Sequence, residues 1–297
     1  MYHKPVMLDK CIEGLNIKPS GVYVDVTFGG GGHSRAILER LTTGHLYAFD
    51  QDEDAAQNAF DDERFTFIPQ NFRYFKNFIQ LYHGGKVDGI IADLGVSSHQ
   101  FDTPEKGFST RFDGPLDMRM SQMTPNDAAT VVNTYDHEAL TRIFRLYGEM
   151  QQPHLVASDI IMAREAEPIE TTAQLKAAVQ NRLPRGKENK VLAQLFQALR
   201  IEVNQELDAL CAFLGQCPDV LKSGGRLVVM SYHSLEDRLV KNFMKTGNTE
   251  GKEDKDFFGN LQTPYTIITR KPIVPTDEEI ENNSRARSAK LRIAERK

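Results

Sequence analysis

Three short segments of this sequence combine acids, glycines and histidines at spacings that can do chemistry. The first is Asp25-Val-Thr-Phe-Gly29-Gly30-Gly31-Gly32-His33-Ser34. Glycines allow positive φ and let a backbone pass close to a ligand. A helix starting there would present unpaired N–H groups to an anion or a polar nucleoside. Asp50 follows 18 residues after Gly32, at the end of an apolar run, where an acid can accept both hydroxyls of an adenosine ribose. Nicotinamide enzymes and S-adenosyl-L-methionine enzymes share that pairing. A dinucleotide fingerprint also needs a third glycine, and counting from Gly29 or Gly30 that position holds Ser34 or Arg35. S-adenosyl-L-methionine has no pyrophosphate and tolerates the looser loop, so Gly30, Gly31, Gly32 and Asp50 become candidate cofactor residues.

The second segment is Asp93-Leu-Gly-Val-Ser-Ser-His-Gln100. An acid at this strand end can accept a hydrogen from an exocyclic amine and aim the nitrogen at a methyl donor. Its rival role is to cap the following turn. Directly after it, Gly107 to Met120 is polar, aromatic and turn-rich. There Phe108 or Phe112 can stack on a base, Arg119 can hold a phosphate, and Asp113 and Asp117 can line a lid or nucleotide pocket. Asp113-Gly-Pro reads equally as a plain turn. The third segment is Ser231 to Arg238. Ser234 with Asp237 resembles a capping box, which leaves Tyr232 and His233 at the sheet edge to meet substrate or relay a proton. None of Cys11, Cys211 and Cys217 falls in the Asp93 loop, so amine methylation is favoured over attack on a ring carbon, which needs a thiolate.

These segments need strands to position them. Val22–Val26, Leu46–Phe49, Phe65–Ile68 and Val87–Ala92 read as strands. They alternate with helices at Ser34–Leu41, Glu53–Phe60 and Tyr74–Tyr82, the pattern of a doubly wound parallel sheet. Ligands in such sheets bind at the carboxyl ends of the strands. The rhythm stops after Gly95. A helical stretch follows, with one long helix expected over Asn189–Leu214, and the strand pattern returns at Arg226–Met230 and Thr266–Thr269. The expected division is a first core part (1–100), a helical insertion (101–205) and a second core part (206–297).

A net charge of −5 argues mildly against a nucleic-acid partner. Two local runs, Asn181–Lys190 and Asn282–Lys297, are basic enough to neutralise phosphates or to be ordinary solvated surface. There is no apolar run of about 18 residues and no secretory signal, and the odd, unpaired cysteines suggest neither a disulfide framework nor a metal site. A cytoplasmic protein is expected.

Together these segments resemble the RsmH (MraW) family. The resemblance rests on seven ordered blocks: His3-Lys-Pro-Val-Met-Leu, Thr27-Phe-Gly-Gly-Gly-Gly-His-Ser, Asp93-Leu-Gly-Val-Ser-Ser, Gly114-Pro-Leu-Asp-Met-Arg, Phe196-Gln-Ala-Leu-Arg-Ile-Glu-Val-Asn, Ser231-Tyr-His-Ser-Leu-Glu-Asp-Arg and Arg285-Ala-Arg-Ser-Ala-Lys-Leu-Arg. It implies a Rossmann-like class I S-adenosyl-L-methionine-dependent methyltransferase fold with an inserted all-helical RNA-recognition domain. It implies methylation of N4 of a cytidine in the decoding centre of small-subunit (16S) ribosomal RNA, presented on an assembled or nearly assembled 30S subunit. It further implies cofactor contacts at Gly31, Gly32, His33, Asp50, Phe72, Asp93 and Gln100, and it leaves a homodimer open. Many amino-methyltransferases of bases carry an Asp/Ser/Asn-Pro-Pro-aromatic loop. Here Asp93-Leu-Gly-Val keeps the acceptor, and a stacking aromatic must come from elsewhere. The residues alone would also permit a nicotinamide-dependent oxidoreductase or a non-catalytic RNA-binding assembly factor.

Overall fold

The computed structural model describes residues 5–297, so His3 and Lys4 of the opening block lie outside the described residues. The chain forms two compact units, one running to Gly95 and again from Leu207 onward, the other spanning Val96–Glu206. In chain order the first stretch holds α1 (Leu8–Leu15), β1 (Val22–Asp25), α2 (Gly32–Leu38), β2 (His45–Phe49), β3 (Phe65–Ile68), α3 (Phe75–Tyr82) and β4 (Val87–Asp93). The second unit holds α4 (Ser98–Asp102), α5 (Ala128–Thr134), α6 (His137–Leu146), α7 (Pro153–Ala166), α8 (Thr172–Ala178) and α9 (Glu188–Asn204). Then follow α10 (Glu206–Val220), β5 (Leu221–Ser231), α11 (Ser234–Thr246), β6 (Tyr265–Ile267), α12 (Asp277–Asn282) and β7 (Lys290–Arg296).

The first unit is a seven-stranded sheet in the order β3-β2-β1-β4-β5-β7-β6. β1 to β5 pair in parallel, and β7 runs antiparallel between β5 and β6. This is a Rossmann-like α/β sheet. Parallel strands buried on both faces read as continuous apolar runs, and that is why β1 and β4 are VYVD and VDGIIAD. Their side chains alternate between two cores. Val24, Ile90 and Val229 pack with α3, α10 and α11, while Tyr23, Ile91 and Val228 pack with α1 and α2. The strand order reverses between β1 and β4, so the loops that follow them flank one crevice.

Four expectations are corrected here. Glu53–Phe60 forms only a 3-10 turn over Glu53–Asn58, because Ala55 alone of it is buried and no apolar stripe can anchor a full helix. The single long helix expected over Asn189–Leu214 is two helices. They are separated at Gln205, which adopts a left-handed conformation at φ 49°. The basic run Asn282–Lys297 is not wholly available to phosphates, since its last part is β7 and only Arg287 and Lys297 of its basic residues are exposed. Buried Arg292 donates there to Asp237 through Nε at 2.6 Å and Nη2 at 3.2 Å, and Arg296 bonds the carbonyls of Pro218 and Pro264. The cap of α11 is His233 with Glu236 rather than Ser234 with Asp237, whose carboxylate is committed to Arg292.

The second unit has its own core, with Phe108, Leu116, Met118 and Met120 packed among residues of α5, α6, α7 and α9. Asn204 ends α9 by donating to the carbonyl of Met118 at 2.8 Å and accepting from the N–H of Met120 at 2.8 Å, both in buried surroundings. Asn204→Ala strands both backbone groups. It is expected to cost about 2 kcal/mol and to speed amide exchange along α9 and residues 116–120, read by hydrogen-exchange mass spectrometry. Unchanged exchange there would show that the amide is dispensable. Among the described residues, no helix is long and apolar enough to cross a membrane.

Candidate functional site

The site begins where β1 ends. Asp25 is buried and accepts from Ser34 Oγ at 2.7 Å and from the N–H of Thr27 at 3.0 Å. Thr27 Oγ1 lies 3.4 Å from Asp25 Oδ1, to which it donates, and accepts the N–H of Asp93 at 2.6 Å. One threonine therefore ties the end of β1 to the end of β4. Burial raises the Asp25 carboxyl, and the charge of His33 and the bond from Ser34 oppose that.

The glycine loop then turns into α2. Gly31 is the left-handed residue before the helix, at φ 75°, and a Cβ there would lie 3.0 Å from the rings of Phe28 and Phe60. Gly32 admits no side chain either, because an added Cβ would lie 2.1 Å from Pro5 Cγ. Gly30 is exposed at the loop tip. At the end of β2, Asp50 accepts from the N–H of Gly29 at 2.7 Å on Oδ2 and from the N–H of Asp52 at 2.8 Å on Oδ1. Burial pushes its carboxyl up to about 6, and the two backbone bonds only partly offset this. Each oxygen has a further lone pair, so the carboxylate can accept from two adjacent hydroxyls. Asn71, just past β3, donates to Gln51 at 2.6 Å, which brings Phe72 next to the Asp50 strand end. The Phe72 ring is partly buried and meets Phe213 edge-on at 5.6 Å.

Asp93 closes the group. Its side chain is 24% exposed, so a reacting atom can reach it, whereas His33 at 6% is enclosed. Asp93 Oδ1 accepts from Tyr232 Oη at 2.8 Å, and Oδ2 lies 3.7 Å from His33 Nδ1. His33 Nε2 is 3.2 Å from the carbonyl of Val6, which accepts only from a protonated nitrogen, so Nε2 is placed to donate there. Burial pushes the Asp93 carboxyl up to about 6, with His33 and Tyr232 drawing it down. The Tyr232 phenol is in turn raised well above its usual range by burial and by the Asp93 charge. His233 faces inward, its Nε2 3.2 Å from Glu236 Oε1 at an angle that makes no hydrogen bond. Burial pushes the Cys11 thiol well up and holds it protonated.

In the first unit the glycine loop is bonded to Asp50, His33 and Tyr232 meet Asp93, and Asn71 sets Phe72 beside the Asp50 strand end, while His233 turns to Glu236. The remaining sequence candidates lie in the second unit. Gln100 is buried in the capping box of α4, its Oε1 accepting the N–H of Ser97 at 3.0 Å. Phe108 is 4% exposed in that unit's core and has no open face for a base. Phe112 is exposed, with the Arg111 guanidinium carbon 5.9 Å above its ring. Asp113 accepts from the N–H groups of Ala173 and Gly114 and from Thr172 Oγ1, so it fastens a turn to the start of α8. Asp117 grips Arg119 at Nε and Nη2, both at 2.8 Å, which neutralises that guanidinium within its own loop. Sequence reasoning assigned no role to Asp25, Thr27, Ser34 or Glu236. The polar Asp-x-Thr at the end of an otherwise apolar strand was the available signal for the first two.

A model of the MraW methylase family matches residues 1–297. The chain is 58% identical over 297 residues to the ribosomal RNA small subunit methyltransferase H of Flavobacterium johnsoniae, covering 99% of this chain and 98% of that protein. It is 59% identical over 292 residues to the protein of the same name from Flavobacterium psychrophilum, covering 98% and 100%. With that of Bacteroides fragilis it shares 57% identity over 297 residues, covering 100% and 98%. An α/β sheet with this strand order, a full-length family match and relatives above half identity agree: the chain belongs to the MraW methylase family of S-adenosyl-L-methionine-dependent methyltransferases.

Proposed function

We propose that the chain transfers a methyl group from S-adenosyl-L-methionine to N4 of a cytidine in the decoding centre of small-subunit ribosomal RNA, in the bacterial cytoplasm. Membership of a methylase family removes the nicotinamide-dependent alternative. The observation that carries the reading is the partly open carboxylate of Asp93 on the β4 side of the crevice, beside the glycine loop.

The residues fit the donor. The Asp50 carboxylate, raised by burial and holding only backbone N–H groups, suits the two hydroxyls of a ribose. The loop from Gly29 to His33 and the ring of Phe72 would flank the rest of the nucleoside. S-adenosyl-L-methionine supplies, when bound, a methyl group already activated on a sulfonium. What remains for the protein is to orient the acceptor and handle one proton. Asp93 would accept an N–H of the cytosine amine and take the proton lost from nitrogen. A carboxyl at about 6 is a stronger base than an ordinary one and stays ionised at neutral pH. Cysteine chemistry favours nitrogen over carbon, because the buried Cys11 and Cys217 thiols are pushed up, away from the thiolate that ring-carbon methylation requires.

Residues 96–206 are proposed as the RNA-recognition unit, with an assembled or nearly assembled 30S subunit as substrate. The small-subunit names of the relatives support that choice. The test is to treat small subunits from a strain lacking the enzyme with the protein and S-adenosyl-L-methionine, then to digest the RNA for nucleoside mass spectrometry. N4-methylcytidine is expected. Methyl on carbon 5 or on ribose would overturn the assignment, and no methyl at all would favour a non-catalytic assembly factor.

A further inference from the structure

Tyr232 and Asp93 are 139 residues apart in sequence, yet the phenol donates to Asp93 Oδ1 at 2.8 Å. The tyrosine is held at both ends. Its backbone N–H donates to Glu236 Oε2 at 2.9 Å, Glu236 is itself buried, and the ring packs against the core on the α1 and α2 face of the sheet. Asp93 is less constrained. Its N–H is fixed by Thr27 Oγ1, but the other carboxylate oxygen faces His33 Nδ1 at 3.7 Å, beyond ordinary hydrogen-bond length. The phenol is therefore the donor that opposes rotation of the carboxylate about its Cβ–Cγ bond.

We propose that Tyr232 is a positioning residue for Asp93: its phenol engages one carboxylate oxygen, so that the other, on the His33 side, is held ready to accept the hydrogen of the substrate amine. This rests on the reading of Asp93 as the amine acceptor. The same contact governs ionisation. The titratable groups around Asp93 are His33 on α2, Asp25 at the end of β1, Tyr232 and Glu236 around the start of α11, and Cys11 on α1. Asp25 and Glu236 raise the carboxyl, whereas His33 and the phenol lower it. A hydrogen bond given to the charged form favours that form, so removing the hydroxyl moves protonation of Asp93 to higher pH.

Tyr232→Phe removes the hydroxyl and keeps the ring. In cofactor-free enzyme, an infrared titration follows the protonated carboxyl band of Asp93, assigned by its loss in Asp93→Asn. The band is expected to persist to higher pH in Tyr232→Phe. With subunits as substrate, kcat is expected to fall about tenfold at neutral pH. The acid limb of its pH profile moves in the same direction as the band, and calorimetric affinity for S-adenosyl-L-methionine stays unchanged. Placing 3-fluorotyrosine at position 232, a stronger donor, should move band and limb the opposite way. A Tyr232→Phe titration identical to wild type would overturn the proposal, as would activity lost only through KM or thermal stability. Full methylation by Asp93→Asn would instead remove the amine-acceptor reading, whatever Tyr232→Phe does to the band.

Discussion

Asp93→Asn is expected to lower kcat for methyl transfer by about 10²- to 10³-fold, the range for a group that handles a proton or a developing charge at the reacting atom. The amide keeps the shape of the carboxylate and can still receive the Tyr232 hydroxyl on its oxygen. It cannot take up the proton lost from the amine. The same change should make the protein more stable at neutral pH. Asp93 sits at about 6 in the folded chain against the usual 3.8, so the folded state binds more protons than the unfolded state across that interval. Stability therefore falls as pH rises from about 4 to about 6 and is flat above it. The cost at pH 7 is at most about 3 kcal/mol at 1.36 kcal/mol per unit, and Asn removes it. Thermal melting across pH 4 to 8 with a parallel activity assay checks both halves. A variant that is slower but not more stable would mean that Asp93 is not strained by burial.

Arg292→Ala is expected to destabilise the first unit by about 3–5 kcal/mol, the usual consequence of removing one partner from a buried ion pair. Arg292 and Asp237 are 9% and 14% exposed at their side chains, so water repairs little of the loss. Burial alone would raise Asp237, but the bonds and charge of Arg292, with Lys290 behind them, outweigh it and leave the carboxyl below its usual value. In wild type this pair therefore adds stability that is complete above the ordinary carboxylate range and lost as pH falls through the lowered value. The variant should show a flatter acid limb in urea denaturation. Asp237→Asn should be milder, because it keeps an oxygen for Arg292. Equal stability of Arg292→Ala and wild type would show that Lys290 alone satisfies Asp237.

The parallel half of the sheet was legible in the sequence because its strands are buried on both faces and so read as unbroken apolar runs. Asp50 and Asp93 stood out for the same reason, as acids closing such runs. β7 was hidden. In Lys290-Leu-Arg-Ile-Ala-Glu-Arg the charged residues look like solvated surface, and only the Asp237 partner 55 residues upstream explains a buried arginine. The break at Gln205 was hidden too, since the apolar spacing continues from α9 into α10. Asn204, which anchors the end of α9 just before the left-handed residue, has its partners Met118 and Met120 more than 80 residues away. Tyr232 was placed at the sheet edge, but its bond to Asp93 was hidden, because no local pattern announces a hydrogen bond to a residue at the end of a different strand.

The sheet's strand order carries a consequence for handling the protein. β7 is an interior strand, with β5 on one side and β6 on the other. A nick or truncation that withholds residues 290–296 leaves Leu227–Met230 of β5 with a row of unsatisfied amides on an apolar ribbon. Such an edge is a template for another copy of itself, so shortened chains should self-associate rather than persist as weakened monomers.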